Sequence, residues 1–379
     1  MISNGHGEDA IAAAIGRELL NLGYQPAAVP LVGEGRAYRE AAIPVFGPLR
    51  SMPSGGFVHL NPLVFARDLS GGWLAMSLGH YRAVRELAQA SAATLVVGDI
   101  YGLAVGTIFG KQPLFHMQPL VSAYYREGLA WYQEPWRATV NGYVAPERAL
   151  MRLARRVYPR DARSLALLQK AGLTQAVYLG NPMMDAIAGE TSIPLEPPWL
   201  LLLPGSRADA YFALPIMVAA ADLLEYPALI SWPPGLDRGP LKLPGWRQEG
   251  QDPVWLESTS GKRIAMVEGG FKSALLGAKL ALATAGTATE QAAGLGIPAV
   301  AFPTHGPQYT PEFARAQARL LGPALTLLKP DPNQIAAAIR KLWQDQELYA
   351  RAQAAGRERI GPRGGALRIA LDMSQYLQT

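Results

Sequence analysis

Short apolar runs alternate with stretches of helical period along almost the whole chain, and this alternation restricts the fold more than any other feature. Strands separated by helices pair in parallel through βαβ crossovers, so all-β and all-α architectures are excluded. In the first half the clearest strands are residues 27–32, 94–98 and 177–179. The stretch 189–198 (GETSIPLEPP) then breaks the pattern with prolines and polar residues, as an interdomain linker does. A second series follows: strand 199–203, helix 211–225, strand 228–232, and a Pro/Gly-rich connection to about Pro253. Strand 263–267, short helix 272–278, strand 280–284, helix 287–294 and strand 299–302 complete it. The tail reads as two or three amphipathic helices, with Ile335, Ile339 and Leu342 on one face and Asp331 as an N-cap. The expected division is an N-terminal domain over 1–188, a C-terminal domain over 199–355, and a final helix, 356–379, packing back on the first domain.

A chain of 379 residues holds two domains of ordinary size, and 49% hydrophobic against 17% charged residues excludes a disordered protein. The absence of cysteine removes disulfides, zinc–thiolate sites, iron–sulfur clusters and cysteine nucleophiles together. No apolar run reaches the roughly 18 residues of a membrane-spanning helix, and no signal peptide is read at the start, so a soluble or peripheral protein is expected. The net charge of +5 points to an anionic partner. Much of it lies between Tyr124 and Arg163, where eight arginines face four acidic residues. Residues 44–80 form an irregular Gly/Pro-rich segment carrying Phe46, Phe57, Phe65 and Trp73, read either as a packed insertion or as an apolar surface for a lipid acceptor or bilayer.

Three turns carry the chemistry. Ser3-Asn4-Gly5-His6-Gly7-Glu8-Asp9 delivers backbone N–H groups and one imidazole to the head of a helix, suited to an anion or a substrate hydroxyl. His6 is read there either as a turn residue or as a base. With Ala10, and with Glu34 after the next strand, Gly5 and Gly7 also mimic a dinucleotide fingerprint, although only Met1 and Ile2 precede them. Pro204-Gly205-Ser206-Arg207 repeats the design after strand 199–203, and an arginine beside exposed backbone donors suits a diphosphate. Ala285-Gly286-Thr287-Ala288-Thr289-Glu290-Gln291 offers a close backbone approach, hydroxyls, a helix N-terminus, and Glu290 or Gln291 for ribose hydroxyls. Plain N-capping is the alternative for Thr287 and Thr289. No P-loop, H-E-x-x-H or G-x-S-x-G motif occurs, and the five histidines lack ligand spacing, so no metal is expected.

PGSR after a strand, Gly180-Asn181-Pro182-Met183-Met184-Asp185 before the linker, and the run 286–298 together resemble the lipid-A-disaccharide synthase family and related GT-B glycosyltransferases. The His6 turn is similar to the Gly/His-rich first loop of peptidoglycan N-acetylglucosaminyltransferases. The resemblance implies an α/β protein of GT-B type, with two Rossmann-like parallel-sheet domains facing a cleft. It implies a metal-independent, inverting transfer of an N-acetylhexosamine from a UDP-sugar to a lipid-linked acceptor, with no cofactor and no nucleic acid. The location implied is the cytoplasm, peripheral to the inner face of the membrane, with the arginine-rich stretch against anionic headgroups. Donor contacts then fall on Gly205, Ser206, Arg207, Glu268, Gly286, Thr287, Thr289, Glu290, Gln291 and Gln308, and acceptor contacts on Asn4, Gly5, Gly7 and His116. The base is Asp99, at the end of strand 94–98, or His6.

The chain departs from the family where its Glu comes one residue early, at 290 with Gln291 after it, and in residues 44–80. A related glycolipid enzyme is therefore expected rather than the synthase itself. Two other readings stand beside it: an NAD(P)-dependent oxidoreductase using Gly5, Gly7, Ala10 and Glu34, and a UDP-sugar 2-epimerase-like or binding protein.

Overall fold

The computed structural model describes residues 1–49, 73–129 and 142–377. Phe57 and Phe65 of the Gly/Pro-rich segment, and Arg137 of the arginine-rich stretch, lie outside the described residues. The chain divides into two compact units, 1–186 with 363–379, and 187–362.

Among the described residues the first unit holds five parallel strands: β1 (Ile2–Ser3), β2 (Val29–Pro30), β3 (Thr94–Val97), β4 (Leu114–Gln118) and β5 (Arg156–Pro159), in the order β2-β1-β3-β4-β5. β3 and β4 are buried at every position, as strands covered on both faces must be. The helices are α1 (His6–Asn21), α2 (Arg36–Glu40), α3 (Trp73–Ala90), α4 (Ile100–Phe109), α5 (Ala145–Met151) and α6 (Ala162–Lys170). Ile11, Ala12, Ile15 and Leu19 give α1 its buried face. The strand expected at 177–179 does not form. Ala176 bridges Val157 and the Val177 amide bonds the Val157 carbonyl, but the chain then turns at Gly180, φ +99°. β4 and β5 escape the sequence pattern because His116, Gln118 and Arg156 interrupt their apolar runs.

The second unit holds eight strands: β6 (Trp199–Leu203), β7 (Ala228–Trp232), β8 (Trp246–Glu249), β9 (Val254–Ser258), β10 (Arg263–Glu268), β11 (Ala278–Ala283), β12 (Ala299–Ala301) and β13 (Leu325–Leu327). They lie in the order β13-β12-β11-β6-β7-β10-β9-β8, all running the same way except β9, which is antiparallel to both of its neighbours, β10 and β8. β8, hidden in the Pro/Gly-rich connection, has three exposed positions out of four and therefore no alternation to read. Central β6, Trp-Leu-Leu-Leu-Leu, is wholly buried. Around the sheet lie α7 (Asp209–Asp222), α8 (Phe271–Leu276), α9 (Thr287–Gly294), α10 (Pro311–Leu321), α11 (Pro332–Gln344) and α12 (Gln346–Ile360). Asp331 caps α11 by accepting from the Asn333 and Gln334 amides, and Ile335, Ile339 and Leu342 form its buried face. Among the described residues no helix is long and apolar enough to cross a membrane.

The last helix, α13 (Gly365–Ser374), belongs to the first unit. The motif at 180–185 holds it: Asn181 caps the 3₁₀ turn Pro182–Met184, and the Asp185 carboxylate accepts from the Gly364 and Ala366 amides at 2.6 and 2.8 Å. Asp372 completes the clasp, accepting from Tyr158 and pairing with Arg156. A carboxylate at a helix N-terminus satisfies donors that otherwise have no intrahelical acceptor.

Asp161 does comparable work at α6. One oxygen caps the Ser164 amide at 2.6 Å, the other accepts from the Ser122 hydroxyl at 2.7 Å, and the residue is buried. Replacing it with Ala removes a cap and strands a buried hydroxyl, and is expected to cost the first unit about 2 kcal/mol, read as a lower urea midpoint. Asp161→Asn keeps one acceptor oxygen for the Ser164 amide and turns an NH₂ donor towards the Ser122 hydroxyl oxygen, and is expected to lose less than Asp161→Ala.

Candidate functional site

In each unit the chain leaves its first strand in one direction and later returns to that strand's other side, which places a topological switch point at β1/β3 and at β6/β11. Open parallel sheets receive ligands outside the carboxyl ends of the strands at such points. The three sequence-derived turns lie at these two edges.

At the β1/β3 edge, Asn4 Nδ2 donates to Asp99 Oδ1 at 2.9 Å, tying the two strand ends together. The same oxygen caps α4, accepting from the Tyr101 and Gly102 amides at 3.0 and 3.2 Å. Asp99 is thus committed to architecture at one oxygen. Ser3 Oγ donates to Asp9 Oδ1 at 2.6 Å and lies 2.5 Å from the Tyr38 hydroxyl, all three residues being buried. Burial pushes the Asp9 carboxyl up to about 7. Glu8, in the first turn of α1, is also pushed up to about 7, by burial first and then by the Asp99 and Asp9 carboxylates. A Cβ on Gly5 would lie 2.3 Å from Glu8 Oε2, so that glycine clears room for the carboxylate. His6 is exposed, with its imidazole over Gly33, where φ is +81° and a Cβ would come within 2.5 Å of Cε1.

Acidic groups therefore crowd the head of α1, which opposes the diphosphate of a dinucleotide and leaves the Gly5/Gly7/Ala10 fingerprint without its electrostatic basis. His116, expected to touch an acceptor, is fully buried instead. Its Nε2 lies 3.1 Å from the Gly98 carbonyl, and burial depresses its pKa to about 4. It supports the sheet edge from beneath. Gly7 is exposed in the first turn of α1, open to a ligand.

At the β6/β11 edge an arginine, Arg207, stands beside the glycine turn, with the Asp209 carboxylate buried behind it. Gly205, φ +99°, brings the turn close to the end of β11, where a Cβ would lie 3.3 Å from the Thr284 carbonyl. Ser206 is exposed and Arg207 half-buried beyond it. With its amide oxygen turned to the guanidinium, Gln308 accepts from Arg207 Nη1 and, at 3.2 Å, from Nε. The loop carrying Gln308 is fastened by Asp209, whose Oδ1 accepts from the Thr304 hydroxyl and the Gln308 and Tyr309 amides at 3.1, 3.2 and 2.8 Å. Gly286 begins α9 with no side-chain cap, leaving first-turn N–H groups for a ligand, and Thr287 is exposed beside them. Gln317 anchors this turn by donating to the Ala285 and Gly286 carbonyls at 3.1 and 2.9 Å.

Some expected donor contacts are placed otherwise. Thr289 is fully buried and donates back to the Ala285 carbonyl at 2.6 Å, an i to i−4 bond that keeps its hydroxyl from a phosphate. Glu290 and Gln291 are buried at 7% and 6% exposure, so the expected ribose contact falls on side chains with little open surface. Glu268 accepts from the Gly235 amide and pairs with Arg238 at 3.2 Å, which makes it a fastener of the 233–239 turn. Sequence reasoning passed over Glu8 and Asp209. The signal was a carboxylate within two residues of each glycine turn, while the groups that give each its role lie some ninety residues away.

No family model matches the chain, and no curated protein does. Among solved structures, the glycotransferase of kitacinnamycin is similar at a TM-score of 0.64 and 16% identity, with 100% of this chain and 98% of that one covered. MurG of Acinetobacter baumannii follows at 0.58 and 15%, over 99% and 98%. The Methanocaldococcus jannaschii UDP-GlcNAc 2-epimerase, in complex with UDP-GlcNAc and UDP, gives 0.57 and 14%, over 99% and 98%. These likenesses agree with the two parallel sheets in assigning the α/β GT-B fold, and they do not single out the lipid-A-disaccharide synthase family.

The Asp9 carboxyl sets a pH dependence of stability. Its folded pKa of about 7 lies above the ordinary 3.8, so its stabilising contribution is full below about pH 4 and is lost as pH rises through 7. Asp9→Asn retains an acceptor for Ser3. Its urea midpoint is expected to match the wild type near pH 4 and to exceed it at pH 8.

Proposed function

We propose that this chain transfers a sugar from a UDP-sugar to an acceptor hydroxyl, with the donor's diphosphate at the β6/β11 edge and the acceptor at the β1/β3 edge. The observation that carries the reading is the different chemistry of two topologically equivalent edges, a guanidinium with an uncapped helix start at one and proton-binding carboxyl groups at the other. Arg207 and the open first turn of α9 suit an anion, whereas Glu8, Asp9 and Asp99 suit a neutral group that must lose a proton. Arg207 rests on the neutral amide of Gln308 and can exchange it for phosphate oxygens, with a gain in charge-assisted bonding. As the bond to the sugar breaks, negative charge grows on the departing UDP, and these preformed donors stabilise it. Gly205, Ser206, Gly286 and Thr287 border the same edge. Asn4, Gly5 and Gly7 receive the acceptor, beside His6, Glu8 and Asp99 as proton-accepting groups.

The finer assignment, an N-acetylhexosamine moved to a lipid-linked acceptor at the inner face of the membrane, rests on the motifs at 203–207 and 286–298. The arginine-rich stretch adds limited support. Arg156 pairs with Asp372, Arg163 with Glu127, Arg160 donates to the Pro119 carbonyl and Arg155 lies over the Tyr376 ring, so these charges have partners within the first unit. A second reading, C2 epimerisation of the UDP-sugar without an acceptor, is favoured by the likeness to the 2-epimerase.

Thermal unfolding with UDP, UDP-N-acetylglucosamine and NADH tests the proposal. UDP at a hundred times its Kd is expected to stabilise the protein by about 2.7 kcal/mol. Arg207→Ala is expected to weaken UDP about tenfold to a hundredfold, the loss of one or two bonds to a charged group. A response to NADH with none to uridine nucleotides would overturn it, and a C2-epimerised product formed without acceptor would establish the second reading.

A further inference from the structure

Two turns border the β6/β11 edge, 204–207 after β6 and 284–287 after β11, and they are tied together twice. The direct tie is Thr284, whose amide donates to the Leu203 carbonyl at 2.9 Å and whose hydroxyl donates to the Pro204 carbonyl at 3.1 Å. The second tie runs through side chains for which the proposed transfer has no direct use. Asp209 Oδ1 accepts from the Tyr309 amide, the Tyr309 hydroxyl donates to Gln317 Oε1 at 2.6 Å, and Gln317 Nε2 donates to the Ala285 and Gly286 carbonyls. Tyr309 is 2% exposed and Gln317 1%, so both side chains are sealed off from a ligand. The Gln317 amide accepts at its oxygen and donates twice from its nitrogen, which leaves it a single orientation. Neither carbonyl depends on Gln317 for a partner. That of Ala285 also accepts from the Thr289 hydroxyl, and that of Gly286 from the Glu290 amide at 3.2 Å. What the two extra bonds fix is the direction of the peptide planes.

We infer that Gln317, held by Tyr309, is a positioning residue that aims the backbone N–H groups of the Gly286 turn at the donor's diphosphate. The inference rests on the transfer reading above and names what sets the geometry of its anion seat. A trans peptide carries its carbonyl and its N–H on opposite sides, and the peptides 285–286 and 286–287 are both trans. With both carbonyls drawn to Gln317 on α10, the Gly286 and Thr287 amides face away from α10. Among the described residues neither amide has an acceptor, and successive N–H groups turned to one side suit an anion. Phe313 closes the opposite side, since a Cβ on Gly286 would lie 3.4 Å from its Cζ, and its ring is tilted against Tyr309 with centroids 5.4 Å apart. Gln308, the residue before Tyr309, meets the Arg207 guanidinium. The relay therefore keeps the guanidinium and the paired amides in a constant relation to one another. Groups that must close on the same phosphates gain most from being held so before the ligand arrives.

The test measures the affinities of UDP and uridine by calorimetry on the full chain, in the wild type, in Tyr309→Phe and in the double variant Tyr309→Phe/Gln317→Met. The double variant removes the buried hydroxyl and the buried amide together, so neither is stranded, and methionine keeps the length of the glutamine side chain. Its thermal midpoint without ligand is expected to stay near that of the wild type. UDP is expected to bind it about tenfold or more weakly, while uridine, which has no phosphate, binds it within about twofold of the wild type. Tyr309→Phe, which keeps Gln317 without its anchor, is expected to fall between the two for UDP. Wild-type affinity for UDP in the double variant would overturn the inference alone, as would an equal loss for uridine, since either result makes the relay a brace of the fold only. Should the double variant not fold, Tyr309→Phe decides, and wild-type UDP affinity in it overturns the inference. A wild-type chain that binds neither ligand brings down the donor reading and the inference with it.

Discussion

The bond from Asn4 to Asp99 is the contact on which the first unit's functional edge depends. β1 has two residues, so the sheet ladder alone holds it weakly, although it lies between β2 and β3 inside the sheet. Strand register over so short a span is poorly specified by side-chain alternation. Asp99 compensates by joining β1 to β3 and starting α4 with the same oxygen, while Ser3, Asp9 and Tyr38 fix the other side of the turn. These bonds fix the turn from which Glu8 projects, and burial there, with Asp99 and Asp9 nearby, raises its affinity for a proton.

The second unit uses a carboxylate in the same way for the opposite electrostatic end. Asp209 gathers a hydroxyl and two amides onto one oxygen and so fixes the loop bearing Gln308. Gly306 passes so near that a Cβ there would lie 2.3 Å from the carboxylate, which explains a glycine without invoking its backbone freedom. Gln308 then holds Arg207 with a neutral group, leaving the guanidinium's charge uncompensated by any carboxylate in that contact. One architecture, a parallel sheet with a carboxylate clamp at its switch point, thus presents a group of carboxyls in one unit and a guanidinium in the other.

The parts of this fold that could be read in the sequence are those whose local chemistry reports their burial. β6 announces itself as an apolar run, and α11 by its cap and helical period, because full burial and amphipathicity both leave a pattern. β8 has no buried face, β1 and β13 are too short for a period, and β4 carries a histidine and a glutamine whose burial depends on partners elsewhere. The site divides likewise. PGSR was legible because a strand, a glycine and an arginine are adjacent in the chain. The inward placement of His116 and the back-bonding of Thr289 were not, since each is decided by packing. Glu8 stood in plain view, but its raised affinity for a proton comes from burial first and then from Asp99, which only the sheet brings near it.

The clasp between Asp185 and the head of α13 has a consequence for synthesis. Its partners are 179 residues apart, and the whole second unit is encoded between them. At the ribosome's pace of 5–20 residues per second, the first unit waits about 10 to 35 s for the helix that finishes it. During that interval the surface meant for α13, with Phe115 and Tyr158 facing Tyr376 and Asp372, is left uncovered. The second unit, encoded without interruption, can be complete before the first, although most of the first precedes it in the chain.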